Sequence, residues 1–531
     1  MKEKYPRVTE TMGYAVTELM LTMKDGVRLY SRCLVPKSEG RYPTVFIRTP
    51  YEDDVGTFTD SELEKNEFLR HGYAVFISHV RGRGKSEGVC IPYESERDDG
   101  LCTLEYIRKL PFYNGEIYLY GKSYLASVHY SYLADKPPDI RGAVFEVQTD
   151  RMYERNFRYG MNYSLLNAEW WFRMLSRKYT EQKLDRIREL PYKDICLRVV
   201  GEDVPQYTDL LMHDVLDEYH ESDTRRMAAE AIDFPVLLIE GWYDFYIGSM
   251  PTMWDRLSED VRKRSAMIIG PYGHDTAVSK DFELAMKNTA LPEGYASEFF
   301  DSVRKGRAFS YALLGAKTLY SVGADGWRKS SEADATSEEY LFPSSGGSLG
   351  EEPSSGSLEY IYDPRDGRGG YRFGGIYAAG GLEDGVLTFV SRPRRADASY
   401  LGKMKLDIEV SSDAEDTAFF ARLYLVREGR AYNLTETVFR LSYFVPDYKP
   451  HERVAVGVEF TPIAFTLRVG DSLRLDISSK SGVYTPHPNV KGHFATVNST
   501  RVARNTVYTD HTRLTLVRSD APFSESTECL N

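Results

Sequence analysis

The stretch Tyr118-Leu119-Tyr120-Gly121-Lys122-Ser123-Tyr124-Leu125-Ala126 puts a serine between an apolar strand segment and the helical segment ASVHYSYLA. Gly-x-Ser-x-small at such a junction has the form of a nucleophile elbow, which presents the hydroxyl at a tight strand-to-helix turn. The turn needs small residues two before and two after the serine. Gly121 meets that need. The strict second position after it is Leu125, and the small residue, Ala126, comes one later. An ordinary helix N-cap serine is the bland alternative.

A serine hydroxyl needs a base, and the base needs an orienting acid. Downstream, the strand-like segment PVLLIEGWYD ends at Asp244, and the next one, SAMIIGPYGHD, leads into His274. The order Ser123, Asp244, His274 is that of the elbow-type hydrolases, and acid and base both fall just beyond apolar strands. In this reading Ser123 attacks a carbonyl, His274 takes and returns the proton, and Asp244 orients the imidazole. Asp275 adjoins His274 but on the wrong side to orient it. The developing oxyanion needs donors. One is the backbone N–H of Tyr124, and the other is expected from the loop after an early strand, Thr49-Pro50-Tyr51, where Tyr51 offers a phenolic O–H. With 39 tyrosines in the chain, a merely packed Tyr51 is the competing reading.

The elements around these residues follow from patterning. Residues 15–22 alternate apolar and polar, as an edge strand would, and VRLYSRCLVP follows a Lys24-Asp25-Gly26 turn. PTVFIRTP and YAVFISHV are short apolar runs suited to buried strands. Residues 60–70 and 95–110 read as helices. Such alternation predicts a parallel sheet covered by helices, here an α/β-hydrolase domain formed by residues 1–145 and 231–314. Residues 146–230, with stretches such as NAEWWFRMLSRKYTEQKLDRIREL, predict a helical cap insertion. A helix around 295–313 is expected to close the first domain. Residues 342–357 are rich in Gly, Ser and Pro, hence loop. Short strands without helices, including KMKLDIEVSS, TAFFARLYLV, SLRLDISS and HTRLTLVR, make residues 315–531 an all-β jelly-roll domain.

The chain has 531 residues, 42% of them hydrophobic, and a formal net charge of −12 without Lys/Arg runs. That balance argues against nucleic acid and against an anionic membrane surface as partners. Five scattered cysteines (Cys33, Cys90, Cys102, Cys196, Cys529) with no CxxC pair suggest neither metal ligands nor a disulfide framework. The first residues lack the apolar core of a signal peptide, and no apolar run approaches a membrane span. A cytoplasmic enzyme without cofactor or metal is expected, with a small ester, amide or short peptide as its substrate. A homo-oligomer stays open.

The chain resembles the cocaine esterase and X-Pro dipeptidyl-peptidase superfamily over nearly its whole length. MKDGVRLYSRCLVP, IRTPYE, GYAVFISHVRGRGKSEG, YGKSY, GWYD, GPYGH and SLRLDISS carry the likeness. The family motif G-x-S-Y-x-G explains the offset at Ala126, which stands for the last glycine. The resemblance implies Ser123, Asp244 and His274 as triad, Tyr51 O–H and Tyr124 N–H as oxyanion hole, and a hydrolase domain, cap and jelly roll. His79 departs from the aspartate usual before Val-Arg-Gly, which bears on packing near Arg81 and Arg83, both read as structural.

Within the family, peptidases and α-amino-acid ester hydrolases must hold a substrate ammonium with a carboxylate. Asp244-Phe245-Tyr246-Ile247-Gly248 has no acid after Asp244 and is apolar. This resembles the cocaine esterase side, with Tyr246 and Phe245 at the acyl pocket and Trp170 and Trp171 as an aromatic wall or simply helix core. Glu169, Asp150 and Glu154 leave a peptidase open, and acyl transfer or an idle binding protein are further alternatives. An esterase or amidase for a neutral acyl group is the favoured reading.

Overall fold

PTVFIRTP and YAVFISHV carry apolar or small side chains at almost every position, which suits strands covered on both faces, and they fold as such. The computed structural model describes residues 6–10, 13–51, 67–176, 186–222, 229–278, 286–287, 289–330, 336–366, 374–380 and 384–520. In chain order the first strands are β1 (Arg7–Glu10), β2 (Tyr14–Thr22), β3 (Arg28–Pro36), β4 (Tyr42–Thr49), β5 (Ala74–His79), β6 (Tyr113–Lys122) and β7 (Ile140–Glu146). After a two-stranded hairpin, β8 (Phe157–Arg158) with β9 (Met161–Asn162), come β10 (Val236–Gly241), β11 (Ala266–Gly270), β12 (Lys317–Ser321) and β13 (Gly326–Ser330).

Among the described residues 11 strands form the first sheet, in the order β1-β2-β3-β5-β4-β6-β7-β10-β11-β12-β13. From β5 to β12 every neighbouring pair is parallel, so the C-terminal ends of β4, β6, β10 and β11 lie along one edge. Sites of open α/β sheets gather at that edge. The alternating segment 15–22 lies in β2, which is not an edge strand: β1 pairs along it and takes the outer position. Helices Glu96–Ile107, Tyr124–Leu133 and Tyr295–Lys305 accompany the sheet. The last is shorter than the expected 295–313, with Gly306 in the left-handed region as its C-cap. In the expected helix 60–70, residues 60–66 lie outside the described residues, and Glu67–Arg70 is helical.

Between β7 and β10 the chain inserts mainly helices, among them Met152–Asn156, Ser164–Leu175 and Pro205–Met212. The helical stretch expected over 167–190 ends at Leu175; residues 177–185 lie outside the described ones.

From Thr336 to Ser519 the regular structure of the described residues is β, apart from the short helix Leu441–Phe444, and forms a sheet of 13 strands. The Gly/Ser/Pro-rich stretch 342–357 is not loop throughout. Ser348–Gly350 is a short strand that pairs on both sides, a case of tertiary pairing overriding local composition. Both β12 and β13 follow the expected division at residue 315 and complete the far side of the first sheet. Val322 bridges to Phe465, so the two sheets meet there. Four cysteines, Cys33, Cys90, Cys102 and Cys196, are free thiols, and Cys529 lies outside the described residues. No described helix is long and apolar enough to cross a membrane.

Candidate active site

Ser123 stands between β6 and the helix Tyr124–Leu133 with φ 55° and ψ −127°. An L-residue adopts such a backbone only when its surroundings enforce it. Gly121 shows the enforcement: a Cβ there would lie 2.3 Å from the Leu125 carbonyl oxygen. Ala126 is fully buried beside it, whereas Leu125 is only partly buried. The turn is therefore tight at Gly121 and tolerates a large side chain at Leu125. The Ser123 N–H donates to the Glu146 carbonyl on β7 at 2.9 Å, and the hydroxyl is left at the sheet edge.

Three strand ends converge on this hydroxyl. His274 Nε2 lies 2.8 Å from Ser123 Oγ, and His274 Nδ1 lies 2.6 Å from Asp244 Oδ2. The other Asp244 oxygen accepts the Tyr246 N–H at 2.8 Å. Phe245 stacks on the imidazole, ring centroids 4.6 Å apart and planes 25° from parallel. Hydrogen bonds on both nitrogens and a ring against one face hold the imidazole in plane with Ser123. Asp275 is exposed, and its carbonyl accepts from the Lys122 ammonium, which also reaches Thr276 Oγ1 at 2.9 Å. The elbow is thus tied to the loop that carries His274. A base hydrogen-bonded to a hydroxyl and oriented by a buried carboxylate can generate an alkoxide-like nucleophile.

Glu240, on β10, and Asp244, three residues past that strand, are both fully buried, and the Glu240 pKa is raised well above the ordinary carboxylate value, first by burial and then by the nearby Asp244. Burial and a neighbouring carboxylate both disfavour the charged form of an acid, so the Glu240 carboxyl holds its proton to higher pH than an exposed one.

The residues expected to hold an oxyanion lie on either side of Trp170. Tyr124 is the first residue of its helix, where backbone N–H groups have no intrahelical acceptor. Its phenol is anchored away from the site, donating to Glu96 at 2.8 Å and accepting the Tyr93 N–H at 3.1 Å. Glu96 in turn pairs with the fully buried Arg48 at 2.9 Å. Tyr51 accepts a hydrogen bond on its phenolic oxygen from Trp170 Nε1 at 3.0 Å. The Trp170 ring also lies 5.3 Å from that of Tyr124. Arg83 braces the loop, donating to the Pro50 carbonyl at 2.9 Å and to the Arg173 carbonyl at 3.2 Å. Arg81 makes a bidentate pair with Asp99. His79 is buried, and burial, with Arg83 and Lys85 adding to it, lowers its pKa to about 4, so the ring is neutral.

The four expected pocket residues separate. Tyr246 is buried 5.9 Å from the His274 ring, within electrostatic reach of Arg155 and Tyr51. Phe245 is the neighbour of the imidazole itself. Trp170 faces Tyr51, whereas Trp171 turns into the inserted helices toward Tyr207, with ring centroids 6.2 Å apart. Three residues escaped the sequence reading: Lys122, Glu240 and Arg155. Lys122 and Glu240 adjoin the motifs and could have been flagged as charges next to apolar strands. Arg155, 4% exposed, lies over the Trp170 ring at 4.2 Å. No pattern around it in the chain signals that contact.

The family model described as X-Pro dipeptidyl-peptidase (S15 family) matches residues 25–276, and the X-Pro dipeptidyl-peptidase C-terminal non-catalytic domain matches residues 316–518. The chain is 23% identical over 493 residues to a cocaine esterase of Rhodococcus sp. (strain MB1 Bresler), covering 81% of this chain and 84% of that protein. Its fold is similar to an aminopeptidase from a marine sediment Thaumarchaeota archaeon, with a TM-score of 0.81 and 17% identity over 98% of this chain and 99% of the other. It is equally similar to an α-amino acid ester hydrolase, with a TM-score of 0.81 and 18% identity over 97% and 98%.

Proposed function

The chain belongs to the cocaine esterase and X-Pro dipeptidyl-peptidase superfamily of serine hydrolases, and we propose from that premise that it cleaves an ester or amide of a neutral acyl group through a Ser123 acyl-enzyme. The observation that carries the reading is the relay from Asp244 Oδ2 to His274 Nδ1 at 2.6 Å and from His274 Nε2 to Ser123 Oγ at 2.8 Å. Ser123 Oγ attacks the carbonyl carbon as His274 takes its proton, and the oxyanion is held by the Tyr124 N–H and the Tyr51 O–H. The tetrahedral adduct expels the alcohol or amine, which receives the proton from His274. Water, deprotonated by the same imidazole, then releases the acid. In this reading residues 146–230 are a helical cap over the site, and the C-terminal β region is a jelly roll.

The neutral acyl preference is supported by the partners of two of the three acids that leave a peptidase open, Asp150 and Glu169. Asp150 is bound by Arg256 at 2.8 Å and by the Ala229 N–H at 3.0 Å, and Glu169 by Arg173 at 2.7 Å. A panel of p-nitrophenyl esters, amino-acid p-nitroanilides and X-Pro dipeptide anilides tests this. Preference for neutral acyl esters is expected, and preference for a free α-amine would replace this reading with that of a peptidase or amino-ester hydrolase. Labelling by a phosphonofluoridate should fall on Ser123; an unlabelled protein would not be a serine hydrolase working through this residue. Tyr51→Phe should lower kcat by about 10²–10³ with KM little changed, because the lost hydrogen bond strengthens only in the tetrahedral state.

A further inference from the structure

We propose that Trp170 is a positioning residue for the reaction: its indole N–H holds the Tyr51 phenol so that the Tyr51 proton is aimed at the developing oxyanion. The inference rests on the reading of Tyr51 as an oxyanion donor.

An indole nitrogen can only donate, whereas a phenol oxygen both accepts and donates. At 3.0 Å from Trp170 Nε1, the Tyr51 oxygen is therefore the acceptor, and its own proton points elsewhere. A phenol O–H rotates between two in-plane positions; a donor on one side of the oxygen disfavours the proton there. A hydroxyl that accepts a hydrogen bond is also polarised into a better donor. The contact thus sets both the direction and the strength of the Tyr51 O–H.

Trp170 is well placed to do this because its own ring is held. Tyr93 stacks on it at 6.2 Å and Tyr124 lies at 5.3 Å. The Arg155 guanidinium lies over the ring at 4.2 Å, drawing electron density and sharpening the N–H as a donor. Arg83 clamps the Pro50 carbonyl, one residue before Tyr51, to the carbonyl of Arg173 in the helix that carries Trp170. Two independent contacts therefore fix the Tyr51 loop against one inserted helix. That helix touches both residues expected to donate to the oxyanion, so the insertion helps to build the hole as well as cover it.

The test compares Trp170→Phe, which keeps a ring and removes the N–H, on wild-type and Tyr51→Phe backgrounds. A second variant carries benzothienylalanine at position 170, with sulfur replacing the indole N–H in the same shape; it serves the comparison if Trp170→Phe misfolds. In the wild-type background either change should lower kcat by about 2–10-fold, the worth of one net hydrogen bond, with KM steady across acyl groups. In the Tyr51→Phe background the same change should cost nothing further. An equal loss in both backgrounds, or a loss confined to KM that tracks acyl size, would make Trp170 a pocket wall and overturn the inference while leaving the Tyr51 reading intact. A silent Tyr51→Phe would remove the oxyanion role of Tyr51 itself, and the inference with it.

Discussion

Two buried charge clusters in this molecule are built in opposite ways. On the C-terminal strand Ser472–Ser478, Arg474 meets Asp476 through two bonds of 2.7 Å, and both side chains are buried. The remaining guanidinium donors reach the carbonyls of Ala378 and Ala379, and Thr388 donates to Asp476. Every charge there is consumed within the cluster. At the end of β10, Glu240 and Asp244 are equally buried, but among the described residues no guanidinium or ammonium pairs with either. Burial and the nearby Asp244 raise the Glu240 pKa, and Asp244 has the His274 imidazole for its ionisable partner. A self-satisfied pair serves the fold. An acid whose only ionisable partner is an imidazole is placed to orient that ring, the part proposed for Asp244.

The contrast can be broken at either end. The largest effect is expected at the hydroxyl the acid serves: Ser123→Ala should lower kcat by roughly 10⁴–10⁶, because the relay works as a unit. Thermal stability should stay near wild type; activity retained within about tenfold would remove Ser123 from the chemistry. Asp244→Asn should lower kcat by about 10⁴, by favouring the wrong His274 tautomer, while Asp275→Asn leaves it unchanged. Reversal of those two results in steady-state assays would mean that the acid is misassigned.

The structural cluster should answer through stability. Arg474→Met leaves Asp476 buried without its guanidinium and should cost about 3–5 kcal/mol in denaturant titrations, with kcat of the folded fraction unchanged. A loss of kcat there would mean that the two clusters are coupled.

Glu240→Gln should be the mildest change. Glu240 holds its proton to higher pH in the folded chain than in the unfolded chain, which loses it around the ordinary glutamate value of 4.5. The unfolded state then binds fewer protons. The residue therefore makes stability fall as pH rises from about 4.5 toward its folded value, by up to roughly 1.4 kcal/mol per pH unit. Glutamine removes that slope and should leave kcat near wild type. An unchanged slope in pH-dependent melting would mean that Glu240 is ionised and shares the charge of the site.

Much of the site could be read from short stretches, because each chemical group follows its own strand directly. Tyr51 lies two residues past β4, Ser123 one past β6, Asp244 three past β10 and His274 four past β11. Apolar runs give away the strands, and the parallel order brings their ends to one edge. The β-rich character of the C-terminal third was equally plain from its alternation. Less legible were the short paired strand Ser348–Gly350, hidden in a turn-like composition, and the outer position of β1, since both depend on what lies alongside.

Local order in the chain therefore carries the candidate site of this protein: the tight turn at Ser123, the succession of Ser123, Asp244 and His274, and the sheet that presents them. Which of two adjacent tryptophans faces Tyr51, and that Arg155 covers Trp170, are decided only by how the inserted helices pack. The Trp170–Tyr51 contact spans 119 positions of the chain. Neither residue's neighbours in sequence encode the other; burial, ring packing and the charge of a nearby group select the contact in three dimensions.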